Sequence, residues 1–177
     1  MDTAEIYGYL DCFLPNGTFS VMPCDLLYNF KTSKYPLYLV CNSDPSNLPG
    51  KHWLALYQAN QESPILFLDS FGRGISHYNK AFTDFVAKNT WKVIEGDRVL
   101  QNLQSDYCGH YSIYLLHKLF KTRGCFATLY NGFSNDTHLN DLKVKKFVDG
   151  SVCKLSHVPY NQCCVRLFEC DWFHLGS

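Results

Sequence analysis

Short apolar blocks, each five or six residues long, alternate with clusters of turn formers over the first hundred residues, and one longer amphipathic stretch follows them. Leu37–Cys41 (LYLVC) predicts a buried strand, and the polar, proline-containing segment 42–51 (NSDPSNLPGK) predicts a loop that delivers the chain to His52. His52–Tyr57 (HWLALY) and Pro64–Asp69 (PILFLD) are strand-like runs of equal length separated by Gln58–Ser63, the pattern of a β-hairpin. Phe71-Gly72-Arg73-Gly74 ends the hairpin. Ser76 is then the expected N-cap of a helix over 77–89 that aligns Phe82, Phe85 and Val86 on one face. Trp91–Ile94 and Arg98–Leu100 predict two further short strands. In YSIYLLHKLFKTRG (111–124), Ser112, Leu115, Leu116, Leu119 and Phe120 recur at helical spacing. Lys118, Lys121 and Arg123 precede a stop at Gly124. A helix over 136–148 and a strand over 163–168 complete the pattern.

The hairpin has a chemical consequence. If its two strands pair symmetrically, His52 lies opposite Asp69, Leu54 opposite Phe67, and Leu56 opposite Ile65. Side chains alternate between faces, so His52 and Asp69 emerge together at the open end, and a slip of one residue would separate them. A carboxylate beside an imidazole fixes its tautomer, stabilises the imidazolium and leaves the second ring nitrogen for another partner. An ordinary strand-edge histidine is the competing reading for His52 taken alone.

Cys108 is the candidate for that partner, with a small buried hydrophobe as the competing reading for Cys108 taken alone. It stands where the amphipathic helix begins, where unpaired backbone N–H groups and the positive end of the helix dipole favour a thiolate. Gly109 beside it leaves room for a substrate carbonyl. Cys12, Cys24 and Cys41 lie in or beside apolar runs and Cys125 follows a helix end, where a cysteine is a small hydrophobe. A thiolate attacking a carbonyl also requires donors for the developing oxyanion. The Cys108 N–H is one, and the side-chain amides of Gln101, Asn102 and Gln104 are three further candidates. His117, nine residues beyond Cys108 at about 100° per residue, should point away from the site.

The order His52, Asp69, Gln101, Cys108 makes a family resemblance visible. GKHW (50–53), LDSFG (68–72) and LQNLQSDYCG (100–109) resemble the motifs of the adenovirus-type cysteine endopeptidases (adenain) and their relatives in other DNA viruses and virus-like transposons. More distantly they resemble SUMO- and ubiquitin-like deconjugating proteases. CGHYSIYLLHKLF (108–120) is similar to the adenain nucleophile helix, and SVMPCDLL (20–27) and YLVCNSDPSNLPGKHW (38–53) are similar to the N-terminal part of the virus and transposon members. The likeness covers roughly 19–122.

It implies an α+β fold in which a central mixed sheet and a nucleophile helix pack as in papain, with a different chain order of catalytic residues. It implies a thiol endopeptidase that acts on polypeptides, viral precursor proteins cut at glycine-containing sites, with Trp53 shaping a narrow channel for glycine. Adenain's spacing of seven residues between glutamine and cysteine selects Gln101, whereas the deconjugating proteases' spacing of six would select Asn102. No cofactor is expected. Adenain forms an activating disulfide with a peptide through a cysteine between its acidic residue and its glutamine. No cysteine occurs here between Cys41 and Cys108, so an activating peptide would have to act without that bond.

Composition narrows the remaining classes. A chain of 177 residues, 46% of them hydrophobic, suits one domain with one substantial core, spanning 1–177. Sixteen basic and sixteen acidic side chains give a formal net charge of +0, which offers no support for DNA binding; the cluster Lys143, Lys145, Lys146 suits a solvated helix face. Nine cysteines, an odd number without a CxxC pair, point to a reducing compartment, with the host nucleus or cytoplasm and the virion as the expected locations. No run approaches the roughly 18 apolar residues of a membrane helix. A monomer is expected. Two other classes stay open: an isopeptidase acting on ubiquitin-like proteins, and a non-enzymatic module held by zinc through Cys153, His157, Cys163, Cys164, Cys170 and His174, whose spacings fit no common zinc pattern.

Overall fold

The apolar run at 37–42 is apolar because it is covered on both faces. It forms the strand β2 (Leu37–Asn42), every residue of which is buried, in a computed structural model that describes residues 1–90 and 92–155, with side chains through 151. Five strands lie in sequence order, β1 (Phe19–Pro23), β2, β3 (Trp53–Gln58), β4 (Ile65–Leu68) and β5 (Val93–Glu95). The outer pairs β1–β2 and β4–β5 are parallel, and β2–β3–β4 run antiparallel, so the sheet is mixed. Parallel neighbours need a crossover. The first passes through a 3₁₀ turn (Cys24–Tyr28) and the second through α2 (Lys80–Asn89).

Strand alternation sorts the core into two layers. Leu37, Leu39, Cys41, Leu54, Leu56, Ile65 and Phe67 meet Cys24, Leu27 and the buried Phe82, Phe85 and Val86 face of α2. Tyr38, Val40, Ala55, Tyr57, Leu66 and Leu68 meet α1 (Thr3–Asp11), α3 (Cys108–Lys121) and α4 (Thr137–Leu155). The result is a mixed α/β architecture with helices on both faces of the sheet, in agreement with the sheet and long helix expected from the pattern. No helix among the described residues is long and apolar enough to cross a membrane.

Several expectations are corrected. The hairpin pairs Leu56 with Phe67 and Gln58 with Ile65, two residues out of the symmetric register. A two-residue offset preserves the faces, so His52 and Asp69 still share one, diagonally rather than directly opposite. Helix α2 begins later than 77: Ile75–His77 is a separate 3₁₀ turn, and the cap is Asn79, whose side chain accepts from the Ala81 N–H at 3.0 Å, not Ser76. Arg98–Leu100 is not a strand; the Leu100 and Gln101 N–H groups bond instead to the Ser70 carbonyl. The expected strand at Trp91 is found at Val93–Glu95, Trp91 itself lying outside the described residues, as does 163–168. Helix α1 is an addition to the elements expected from the pattern, started by a capping box of Asp2 and Glu5, with Glu5 N–H to Asp2 Oδ1 at 2.8 Å and Asp2 N–H to Glu5 Oε2 at 2.7 Å.

One turn in this framework carries the site. After β4 the chain reverses at Asp69–Gly72, closed by the Gly72 N–H to the Asp69 carbonyl at 3.0 Å, with Gly72 at φ +67. A Cβ on Gly72 would also come within 2.9 Å of the Arg98 carbonyl carbon and the Asp97 oxygen, backbone that cannot step aside. Gly72→Ala is therefore expected to destabilise the fold by more than about 1 kcal/mol, from the left-handed backbone and the clash together. A denaturant titration beside the unsubstituted protein measures it.

Candidate active site

Two strand ends and one helix start converge at one end of the sheet. His52 immediately precedes β3, Asp69 immediately follows β4, and Cys108 is the first residue of α3, whose apolar face lies on the sheet. His52, Asp69 and Cys108 are all buried. His52 Nε2 and Asp69 Oδ1 are 2.6 Å apart, and the Cys108 thiol interacts electrostatically with the same imidazole. With Nε2 committed to the carboxylate, Nδ1 is the ring nitrogen that remains for sulfur.

A buried carboxylate must be met by donors. Besides His52, Asp69 accepts from the Phe71 N–H at 3.0 Å, the Arg73 N–H at 3.0 Å and the Tyr78 hydroxyl at 2.6 Å. Burial alone would raise its pKa, but the hydrogen bonds from His52, Tyr78 and Phe71 outweigh burial and hold it below the usual carboxylate range. Burial also opposes the His52 imidazolium. The bond to Asp69 and then the contact with Cys108 reverse that effect, and its pKa is pushed up to about 9. Phe71 and Tyr78 stack on the imidazole, with ring centroids 4.9 and 6.0 Å away, which keeps the ring in the plane that serves both partners.

Burial raises the Cys108 pKa, yet the hydrogen bond and charge of His52, together with the backbone N–H groups of Trp53 and Gly109, bring it below the usual thiol value. Helix α3 has no side-chain cap at Tyr107, so its first N–H groups are left for an anion. Gly109 follows Cys108 in the first turn of α3. A Cβ there would lie 3.1 Å from Met1 Sδ and 3.4 Å from Ile6 Cδ1, so the missing side chain is used by packing before and within α1. The Trp53 indole likewise donates to the Met1 carbonyl at 3.2 Å.

Of the three candidate amides, Gln101 alone is fully buried. Its Oε1 accepts from Ser70 Oγ at 2.6 Å and its Nε2 donates to the Ser105 carbonyl at 2.8 Å. Asn102 Oδ1 is turned to the Gln104 N–H at 2.9 Å in a local turn, and Gln104 is exposed. The Gln101 backbone is held from the helices: the Tyr111 hydroxyl shares its one proton between the Leu100 carbonyl at 2.9 Å and Asp141 Oδ1 at 2.8 Å, the Leu100 carbonyl also accepts from Asn140 Nδ2 at 3.1 Å, and Asp141 Oδ1 also accepts from the Asn102 N–H at 3.4 Å. His117 lies remote from this edge, packed against Phe13 and Phe147, and burial lowers its pKa to about 4.

Sequence reasoning missed Tyr78, Ser70 and the α4 pair Asn140 and Asp141, for each of which only the folded chain supplies the partner. Among the described residues no three His, Cys, Asp or Glu side chains are grouped to share a metal ion. The Cys153 side chain, His157, Cys163, Cys164, Cys170 and His174, on which the zinc reading rests, lie outside the described part.

No protein-family profile and no curated protein sequence matches the chain. Among solved structures, a crystal structure of the ASFV pS273R protease is similar over 64% of this chain, with 20% sequence identity and a TM-score of 0.35. The matched region spans 46% of that protein's length.

The site predicts a pH signature. Because His52 favours the thiolate, alkylation of Cys108 by iodoacetamide should set in below the ordinary thiol range, at pH values under about 8.5. In His52→Ala only burial and the N–H groups remain, so the onset should move upward. Peptide mapping must resolve the sites, since Cys125 is exposed and its bond to Thr128 lowers its pKa as well.

Proposed function

We propose that the chain is a cysteine endopeptidase in which Cys108 is the nucleophile, His52 the general base and acid, Asp69 the group that orients and charges His52, and Gln101 an oxyanion donor. The observation that carries this reading is the 2.6 Å bond between His52 Nε2 and Asp69 Oδ1, on an imidazole whose charge interacts with the buried Cys108 thiol at the start of α3. A buried cysteine with a lowered pKa, paired with a histidine whose pKa is raised, is an ion pair poised for nucleophilic attack.

The steps follow from the placement of the groups. The Cys108 thiolate attacks the scissile carbonyl carbon, and the carbonyl oxygen takes the negative charge, facing the Cys108 N–H and Gln101 Nε2. The His52 imidazolium gives its Nδ1 proton to the leaving amine, the C–N bond breaks, and the acyl group stays on sulfur as a thioester. Neutral His52 then takes a proton from water. The hydroxide adds to the thioester, and collapse releases the acid and restores the thiolate and imidazolium.

Polypeptides are the substrate class this chemistry serves. The motif resemblance at 50–53, 68–72 and 100–109 favours glycine-containing sites in viral precursor proteins, with the host nucleus or cytoplasm and the virion as the setting. A fluorogenic peptide ending in Gly-Gly-aminomethylcoumarin, and precursor or ubiquitin-like fusions whose new termini are sequenced, test the reaction and the substrate.

Cys108→Ala should abolish turnover with the fold intact, and retained turnover would refute the assignment. His52→Ala should be as damaging. Asp69→Asn should keep a residual rate because the imidazole survives, and Asp69→Ala should be lower still. Gln101→Ala should lower kcat by about a hundredfold to a thousandfold while Cys108 alkylation stays near normal, because the amide serves the transition state and not the resting thiolate. The turnover profile should fall off as pH rises through about 9, where His52 loses its proton.

A further inference from the structure

On the reading of Gln101 as oxyanion donor, we propose that Ser70 is the positioning residue that aims the Gln101 amide. Gln101 Nε2 donates to the Ser105 carbonyl at 2.8 Å, and a carbonyl can only accept. That contact fixes which end of the amide carries nitrogen. Oε1 must then face Ser70, and the Ser70 hydroxyl must donate, across 2.6 Å between two buried side chains. Nε2 carries two protons; Ser105 takes one, and the other is the proton presented to the oxyanion. The same residue also fixes the Gln101 main chain, for the Ser70 carbonyl accepts from the Leu100 N–H at 2.8 Å and the Gln101 N–H at 3.0 Å.

Ser70 follows Asp69 directly, inside the turn closed by the Gly72 N–H. The acid that charges His52 and the hydroxyl that aims Gln101 are therefore neighbours on one rigid turn, and the two halves of the site keep a fixed separation. Removing the hydroxyl leaves Oε1 buried without its donor and lets the amide rotate toward other partners. The main-chain bonds from Leu100 and Gln101 need no Ser70 side chain and survive the change, so the substitution isolates the aiming of the amide.

The test is a double-mutant cycle in the full chain, using the Gly-Gly-aminomethylcoumarin peptide. Ser70→Ala should lower kcat by about tenfold to a hundredfold, less than loss of the amide itself, with KM changed by less than about twofold. Iodoacetamide should label Cys108 at the unsubstituted rate and with the same pH onset, because the ion pair does not depend on Ser70. In a Gln101→Ala background, adding Ser70→Ala should change kcat by less than about twofold, since there is no amide left to aim.

An equal loss in both backgrounds, or loss of Cys108 alkylation together with turnover, would assign Ser70 to the framework and overturn the proposal. Full kcat for Ser70→Ala beside Cys108-dependent turnover in the unsubstituted protein would overturn this assignment alone. Absence of Cys108-dependent turnover in the unsubstituted protein would instead overturn the protease reading and this proposal with it.

Discussion

A carboxylate taken out of water at Asp69 governs how this edge of the molecule is built. Leaving such a charge unmet would cost several kcal/mol, so its oxygens are surrounded by donors: the His52 ring, two N–H groups of its own turn and the Tyr78 hydroxyl. Those donors come from three stretches of chain that must all be in place at once. The turn after β4 must fold back, with Gly72 in the left-handed region, to aim the N–H groups of Phe71 and Arg73 at the carboxylate. The 3₁₀ turn at Ile75–His77 must then bring the Tyr78 hydroxyl to Oδ2, and β3 must start one residue after His52. Charge satisfaction here is a constraint on the backbone as much as on side chains.

The same constraint charges the rest of the site. A carboxylate anion whose oxygens are all met by donors favours a protonated His52, and a protonated His52 favours the Cys108 thiolate, against the burial that opposes both charges. The three groups thus behave as one buried ionic cluster whose members stabilise one another in sequence. Sulfur adds a further demand, met by N–H groups from Trp53 and Gly109 and by the uncapped start of α3. The stacked rings of Phe71 and Tyr78 exclude water from the imidazole, and the Arg73 guanidinium lies 4.9 Å from the centre of the Phe71 ring.

Gln101 is held by a different part of the fold. It lies in irregular chain, where no ladder fixes its backbone, and the missing bonds are supplied by Ser70 on one side and by Tyr111, Asn140 and Asp141 on the other. Helix α4 therefore supports the Gln101 segment through Asn140 and Asp141. Its buried polar pair answers backbone groups that would otherwise be unsatisfied, and this explains why Asn140 and Asp141 are buried in a helix with apolar neighbours such as Val144.

What the sequence determined by itself was whatever depends on periodicity and neighbours along the chain. Alternation in HWLALY and PILFLD set His52 and Asp69 on one face, and that result survived a hairpin register different by two residues because faces repeat with period two. The apolar spacing after Cys108 placed the thiol at a helix start, and the same helical period turned His117 away from the site. The capping box at Asp2 and Glu5 is equally local. Only the tertiary structure decided what depends on distant chain segments. Ser70 meets Gln101 across 31 residues and Asn140 meets Leu100 across 40, and no local pattern distinguishes those polar residues from solvated ones. Val99 and Leu100 give the segment before Gln101 the sequence character of a strand, but Val99 is exposed, and the burial of Leu100 comes from packing with α3 and α4 and not from a ladder. Gly109 shows the same division: its smallness was visible in the sequence, but the neighbour that needs the space, Met1, was brought there by the fold.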